Sequence, residues 1–238
     1  MSFTKNPGRF AGLLYILMSI PGFFAMVYVP SKLIVHANAA ATANNIAASE
    51  MLFRLGIVAQ LISQVGFIFV ALALYDVFKG VNRRHASVMV TLVVASIGIA
   101  FLNELNSIAA LMLVPGADFL SVVEKGQREA LAMLFLNLHF QGLVIDEIFF
   151  GIWLVPLALL VYRSRFLPRF LGVWLALDAL CWVILSLTGM LLPQYYDKAF
   201  TYAQPAFFAE VVLMLWLLIR GAKPAAVPDG VAVSSAIA

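Results

Sequence analysis

Residues 87–114 read "SVMVTLVVASIGIAFLNELNSIAALMLV". This stretch decides the fold. It is longer than the roughly 20 apolar residues needed to cross the hydrocarbon of a bilayer, and Glu104 is its only charged residue. It has no period-2 alternation to suggest a strand. A buried soluble helix of this length and polarity is improbable on composition alone, because the rest of the chain is built the same way. Hydrophobic residues make up 63% of the 238 residues and charged residues 11%, against about 25% charged in soluble domains.

Similar apolar stretches fall at 10–29, 55–78, 142–162, 170–192 and 203–219. With 87–114 they predict an all-α, polytopic membrane bundle of six transmembrane helices, in a single domain over 1–221. No 20-to-50-residue repeat is visible. The echo between "RFAG" at 9–12 and "RFLG" at 169–172 is too short to establish a duplication. The first span is too long for the h-region of a cleaved signal peptide, so it is expected to be retained. The tail 222–238, small-residue and Pro-containing, is expected to be disordered and cytoplasmic. Cys181, the single cysteine, excludes an intramolecular disulfide.

Basic residues set the orientation. Lys5, Arg9, Lys79, Arg83, Arg84, Arg163, Arg165, Arg169, Arg220 and Lys223 fall on one side, and Lys32, Arg54, Lys125, Arg128 and Lys198 on the other. Ten against five predicts both termini in the cytoplasm of a cell that keeps the protein in its plasma (inner) membrane. The net charge of +3 is thus a topology signal, and the bilayer rather than nucleic acid is the expected partner.

Carboxylates inside such spans are costly, at least about 2.5–3.5 kcal/mol each at the helix centre. They should therefore face the bundle interior, water or one another. Helix rise, counted from the assumed cytoplasmic ends of the spans, puts Glu104, Asp146 and Glu147 at about 22–24 Å in a core of roughly 30 Å. Gln64 falls near 21 Å by the same count, and Arg54 falls at the outer rim. The opening pattern "NELNS" at 103–107 and the stretch "NLHFQGLVIDEIFFGIW" at 137–153 together supply the polar groups. Glu104, Asn103, Asp146, Glu147, His139, Arg54 and Gln64 are the candidate ligand-binding residues of a chamber open to the outer side. Asp178 and Glu210 stand apart as two acids near the midplane.

No catalytic residue is assigned. The chain carries no Gly-x-Ser-x-Gly elbow, P-loop or dinucleotide fingerprint. His139 with the acids could be drawn as a metal site, yet the His-x-x-x-His pair or Cys cluster that would support it is missing. Neither metal nor cofactor is expected. Three functional classes remain. The first binds or moves a small molecule or ion. The second is an acid–base enzyme on a lipid-like substrate, using Glu104, Asp146 or Glu147. The third is a non-catalytic membrane partner whose polar residues fix helix packing. Oligomeric state is not legible.

Three stretches, "RFAGLLYILMSIPG" (9–22), "ATANNIAASEMLFRLG" (41–56) and "IFFGIWLVPLALLVYRSRFLPRFLG" (148–172), together resemble the bacterial multi-pass membrane family known as domain of unknown function 4386. The resemblance covers about residues 8–220. It implies a compact multi-helix integral membrane protein and carries over no functional residue.

Overall fold

A computed structural model of the protein describes residues 6–115 and 120–222. The tail expected to be disordered lies outside the described residues from 223 onward. All regular structure among the described residues is helical. Five of the helices are long and apolar enough to cross a membrane.

Helix α1, Pro7–Phe23, starts where Asn6 accepts hydrogen bonds from the N–H groups of Gly8 and Arg9 at 3.1 and 3.3 Å. Pro7 occupies the first turn, where a missing N–H is harmless. The helix passes into a π-helical turn, Phe24–Tyr28, and then α2, Val29–Leu33. Pro30 accounts for the widening: it has no N–H to give Met26, and its ring crowds that carbonyl. A short helix, α3 (Ala39–Ala48), is capped by Asn38 and held down by Asn45, which donates to the Leu33 carbonyl at 3.3 Å.

Helix α4, Glu50–Leu113, has 64 residues, but Asn82 (φ −159°, ψ 106°) is extended. The Asn82 side chain accepts from the His85 N–H at 3.0 Å, which is how an Asn starts a new helix. Phe53 shares a hydrophobic cluster with Ala110, Leu111 and Leu113. An unbroken rod would hold Phe53 and Ala110 about 85 Å apart, so the two arms, 50–81 and 83–113, fold back on each other. The expected six apolar spans therefore appear as five helices: spans two and three are joined through one residue, with no loop.

Helix α5, Lys125–Arg163, is the longest without such a break, at 39 residues. It starts well before the apolar stretch at 142–162, through the mixed polar and apolar residues "EKGQREALAMLFLNLHFQG" (124–142), and Gly142 does not interrupt it. Helices α6 (Arg169–Leu191) and α7 (Tyr196–Arg220) complete the bundle, linked by a 3₁₀ turn, Pro193–Tyr195. Glycines set the closest approaches: a Cβ at Gly12 would sit 2.6 Å from the Leu218 backbone, and one at Gly151 equally close to the Ala179 carbonyl oxygen. Small residues at such crossings let backbones meet where no hydrophobic effect drives helices together.

Burial is the reverse of a soluble helix at the decisive stretch. Leu102 and Leu105 are 69% and 59% exposed, while Asn103 and Glu104 between them are buried. The apolar interior forms two clusters. The larger joins Tyr15, Phe78, Met89, Leu157, Leu171 and Leu213; the smaller joins Val29, Ile46, Phe53, Leu111 and Leu136. Asn103, Glu104, Ser107, Asp146 and Glu147 lie between them along α4 and α5. At the end beside the larger cluster, Phe78 stacks on Phe166 at 5.8 Å, and the Asn6 side chain accepts from the Ala222 N–H at 3.2 Å. The Asn82 bend, the 164–168 turn and both described chain ends thus gather at one pole.

Candidate functional site

The second arm of α4 and helix α5 run antiparallel, and side-chain contacts fix their register. Glu104 faces His139, with Oε1 3.8 Å from Nε2. Seven to eight residues further along, Ser96 donates to Asp146 Oδ1 at 3.0 Å. Asp146 therefore lies about 10 Å deeper than Glu104 by helix rise. The equal depths expected from sequence do not hold. That expectation assumed that the arm beginning near Val88 and the helix ending at Tyr162 finish at one level, whereas the observed pairing sets Val88 beside residue 155.

Five polar side chains converge where Glu104 meets His139. The Asn103 amide donates to the His139 carbonyl at 2.9 Å, and Asn106 donates to the Asn103 side-chain oxygen at 3.1 Å. His139 Nδ1 sits 3.2 Å from the Ser107 hydroxyl and 3.3 Å from the Asn103 carbonyl. A carbonyl only accepts, so the proton on Nδ1 is the one that this contact favours. Nε2 then faces Glu104 bare in neutral imidazole and protonated in imidazolium. One proton can rest on either partner.

The adjacent acids of α5 diverge, as their 100° separation requires. Asp146 turns to α4. Glu147 accepts from the Tyr196 hydroxyl at 2.5 Å, at the start of α7. Asp146 Oδ2 and Glu147 Oε2 are buried with no hydrogen-bond partner among the described residues. Ser186 ties α6 to this level by donating to the Val144 carbonyl at 2.5 Å.

Arg54 and Gln64 are not joined to this network. Arg54 pairs with Glu50, one turn away, at 2.7 Å, both side chains being largely exposed; such exposed pairs contribute little, about 0–1 kcal/mol. Gln64 is buried on the first arm of α4 with Gln60 and Ser63. Sequence reasoning missed the partners Ser96, Ser186 and Tyr196, whose roles depend on inter-helix register. It noted Asp178 and Glu210 without Tyr15, whose hydroxyl donates to the Glu210 carboxylate.

Among the described residues, no Lys or Arg lies within 4.0 Å of Glu104, Asp146, Glu147, Asp178 or Glu210. No group of three His, Cys, Asp or Glu side chains among them could hold a metal. Two surface clefts flank the bundle, one between α6 and α7 and one lined by Phe10, Leu14, Phe69 and Asp76. Neither touches the outer network.

Helices apolar enough to cross a membrane, packed around buried acids that among the described residues have no Lys or Arg within 4.0 Å, define a helical membrane protein with an ionisable interior. Residues 10–221 match the family described as Domain of unknown function (DUF4386), and the chain belongs to that family. A protein of Archaeoglobus fulgidus described as an uncharacterized protein is 32% identical over 88 residues, which cover 37% of this chain. The match spans about half (51%) of that relative's own length. No solved structure matches the chain.

Proposed function

We propose that the protein is a six-crossing integral protein of the cell membrane, with both termini cytoplasmic. In this reading it binds or moves a small molecule or ion through a polar interior open to the outer side. The six crossings count each arm of α4 separately, since each spans about 45 Å at 1.5 Å per residue. The orientation rests on charge: of the described Lys and Arg residues, Arg9, Lys79, Arg83, Arg84, Arg163, Arg165, Arg169 and Arg220 gather toward the pole of the Asn82 bend. Lys32, Arg54, Lys125, Arg128 and Lys198 lie toward the other.

One observation carries the functional reading: Glu104, Asp146 and Glu147 are buried, at 5%, 1% and 5% exposure, without a Lys or Arg partner among the described residues. Acids kept in that setting need a proton or a cation to stay there. Glu104 with His139 forms the outer proton-exchanging pair, and Asp146 and Glu147 continue the polar route inward. Asn103 and Ser107 hold the imidazole, and the bilayer is the partner of the outer surface.

A second reading, a non-catalytic membrane partner, is favoured by a different observation. Each outer acid already has one protein contact, His139, Ser96 or Tyr196. A thermal-shift screen of small molecules and ions at pH 5.5 and 8, on wild type and Glu104→Gln, separates the two readings. Ligand-induced stabilisation follows mass action. The proposed function expects a compound whose stabilisation depends on pH in wild type and is lost in a folded Glu104→Gln protein. Equal stabilisation of both proteins overturns the chamber. Loss of stability in the variant, with no compound binding wild type, establishes the packing role.

A further inference from the structure

Helix α1 and the first arm of α4 pack antiparallel, in a register fixed where Ser63 donates to the Met18 carbonyl at 3.0 Å. Nearer the Asn82 bend the two helices leave a cleft of about 240 Å³ between them, lined by Phe10, Leu14, Phe69, Leu72 and Asp76 among others. One end lies at Leu14 and Phe69 and the other at Pro7 and Asp76, about 10 Å away by helix rise. Phe10, Phe69 and Leu72 are exposed, so the cleft opens along the apolar flank of the bundle. Among the described residues, Asp76 is the one charged side chain that lines it. Its carboxylate accepts from the Lys79 ammonium at 2.7 Å, and both side chains are at least half exposed. The Lys79 ammonium also sits 5.9 Å from the Tyr75 ring centroid, with Arg83 in electrostatic reach.

We propose that this cleft binds an aminophospholipid, its primary ammonium on Asp76, its phosphate on Lys79 and Arg83, and one acyl chain along Phe10, Leu14, Phe69 and Leu72.

The charge pattern selects the headgroup. Of the charged residues from 76 to 84, Lys79, Arg83 and Arg84 are basic and Asp76 alone is acidic. The bases suit the phosphate of any phospholipid, and Asp76 discriminates among headgroups. A headgroup with no cation leaves the carboxylate facing the phosphate unopposed. A trimethylammonium brings a cation without an N–H, whereas a primary ammonium brings three donors. The present bond to Lys79 is no obstacle, because exposed ion pairs are weak. Lys79 can turn to the phosphate while the lipid ammonium takes its place on Asp76, and every charge keeps an opposite partner. The tail has its own argument. The cleft is charged only at the end toward the bend, and its length covers about 10 Å of the roughly 15 Å of hydrocarbon in one leaflet. A water-soluble zwitterion would leave the Phe69 end unfilled. The inference rests on the membrane-crossing reading but uses no residue of the outer network, so it holds or fails separately from the chamber.

Thermal unfolding of the delipidated full chain in detergent micelles at pH 7 tests it, with phosphatidylethanolamine, phosphatidylcholine and phosphatidylglycerol of identical acyl chains as probes. Phosphatidylethanolamine should raise the midpoint saturably, at a half-maximal concentration about fivefold below that of either other lipid, the upper range for an exposed charge pair. Asp76→Asn should bring phosphatidylethanolamine to the phosphatidylcholine level. Lys79→Gln combined with Arg83→Gln should weaken all three lipids. Phe69→Ala, which removes part of the wall and leaves the charges, should weaken all three by one factor and keep the preference. Glu104→Gln should leave every response unchanged. If Asp76→Asn does not fold, the wild-type ranking and Phe69→Ala decide the matter. An equal response to phosphatidylethanolamine and phosphatidylcholine, a stronger response to phosphatidylglycerol, a preference surviving in Asp76→Asn, an unweakened Phe69→Ala protein, or no lipid response in wild type overturns the proposal.

Discussion

Gly151 is where the packing reasoning is most exposed to test. It lies on α5 where that helix crosses α6, and an added Cβ would be 2.6 Å from the Ala179 carbonyl oxygen and 2.7 Å from Val183 Cγ2. Ordinary contact begins at 3.4 Å, so the shortfall against Ala179 is 3.4 − 2.6, or 0.8 Å. Val183 can rotate away. The Ala179 carbonyl is backbone and cannot, so the helices must part. Over-packing of this kind costs about 1–3 kcal/mol. Separation also lengthens the neighbouring Ser186 bond to Val144, which bridges the same two helices. Gly151→Ala should therefore lower stability by about 1–3 kcal/mol in reversible SDS titration of the protein in mixed micelles. Gly98→Ala is the control, because a Cβ there meets nothing within 4 Å. On helix propensity alone it should be neutral or stabilising by up to about 1 kcal/mol. A Gly151→Ala protein as stable as wild type, or one no less stable than Gly98→Ala, refutes the close-approach argument.

Three further outcomes are expected. Ser186→Ala should cost about 0.6–1.7 kcal/mol, the range for hydrogen bonds between membrane helices, read by the same titration; an unchanged midpoint would mean that the 2.5 Å contact adds nothing. Asn82→Ala removes the cap on His85 and should cost about 0.5–2 kcal/mol, while Asn82→Asp, which keeps an acceptor, should lie near wild type. A reporter fused after Lys223 should be active only in the cytoplasm, and activity on the exported side would reverse the orientation.

Length and polarity made the helices legible, because apolar runs of span length have few other uses. The early start of α5 was legible for a related reason: the amphipathic residues after Glu124 keep a helical pattern before the apolar core begins. What failed was height. Glu104 and Asp146 seemed level because each was counted from an assumed span end, and an error of seven residues in one end moves a side chain by about 10 Å. Register between helices is set by pairs such as Ser96 with Asp146 and by glycines such as Gly151, and one chain read alone does not display its pairings. The same blindness hid Tyr196 as the partner of Glu147 and Tyr15 as that of Glu210. His139 and Glu104 were both singled out as site residues, and the alignment of α4 with α5 brings them together. Two apolar spans demand a return at "GVNRRHA", and a capping Asn makes that return in a single residue.

That single residue has a consequence for how the protein can be handled. A protease must draw several consecutive residues into an extended strand before it can cut, and at Asn82 the chain is helical on both sides. The junction should resist digestion that severs ordinary connecting segments, and an epitope tag inserted there would have to unwind a helical turn to be displayed. The two arms of α4 are joined so closely that one cannot slide along the other without breaking the cap, so any large motion of the bundle should leave this hairpin moving as one piece.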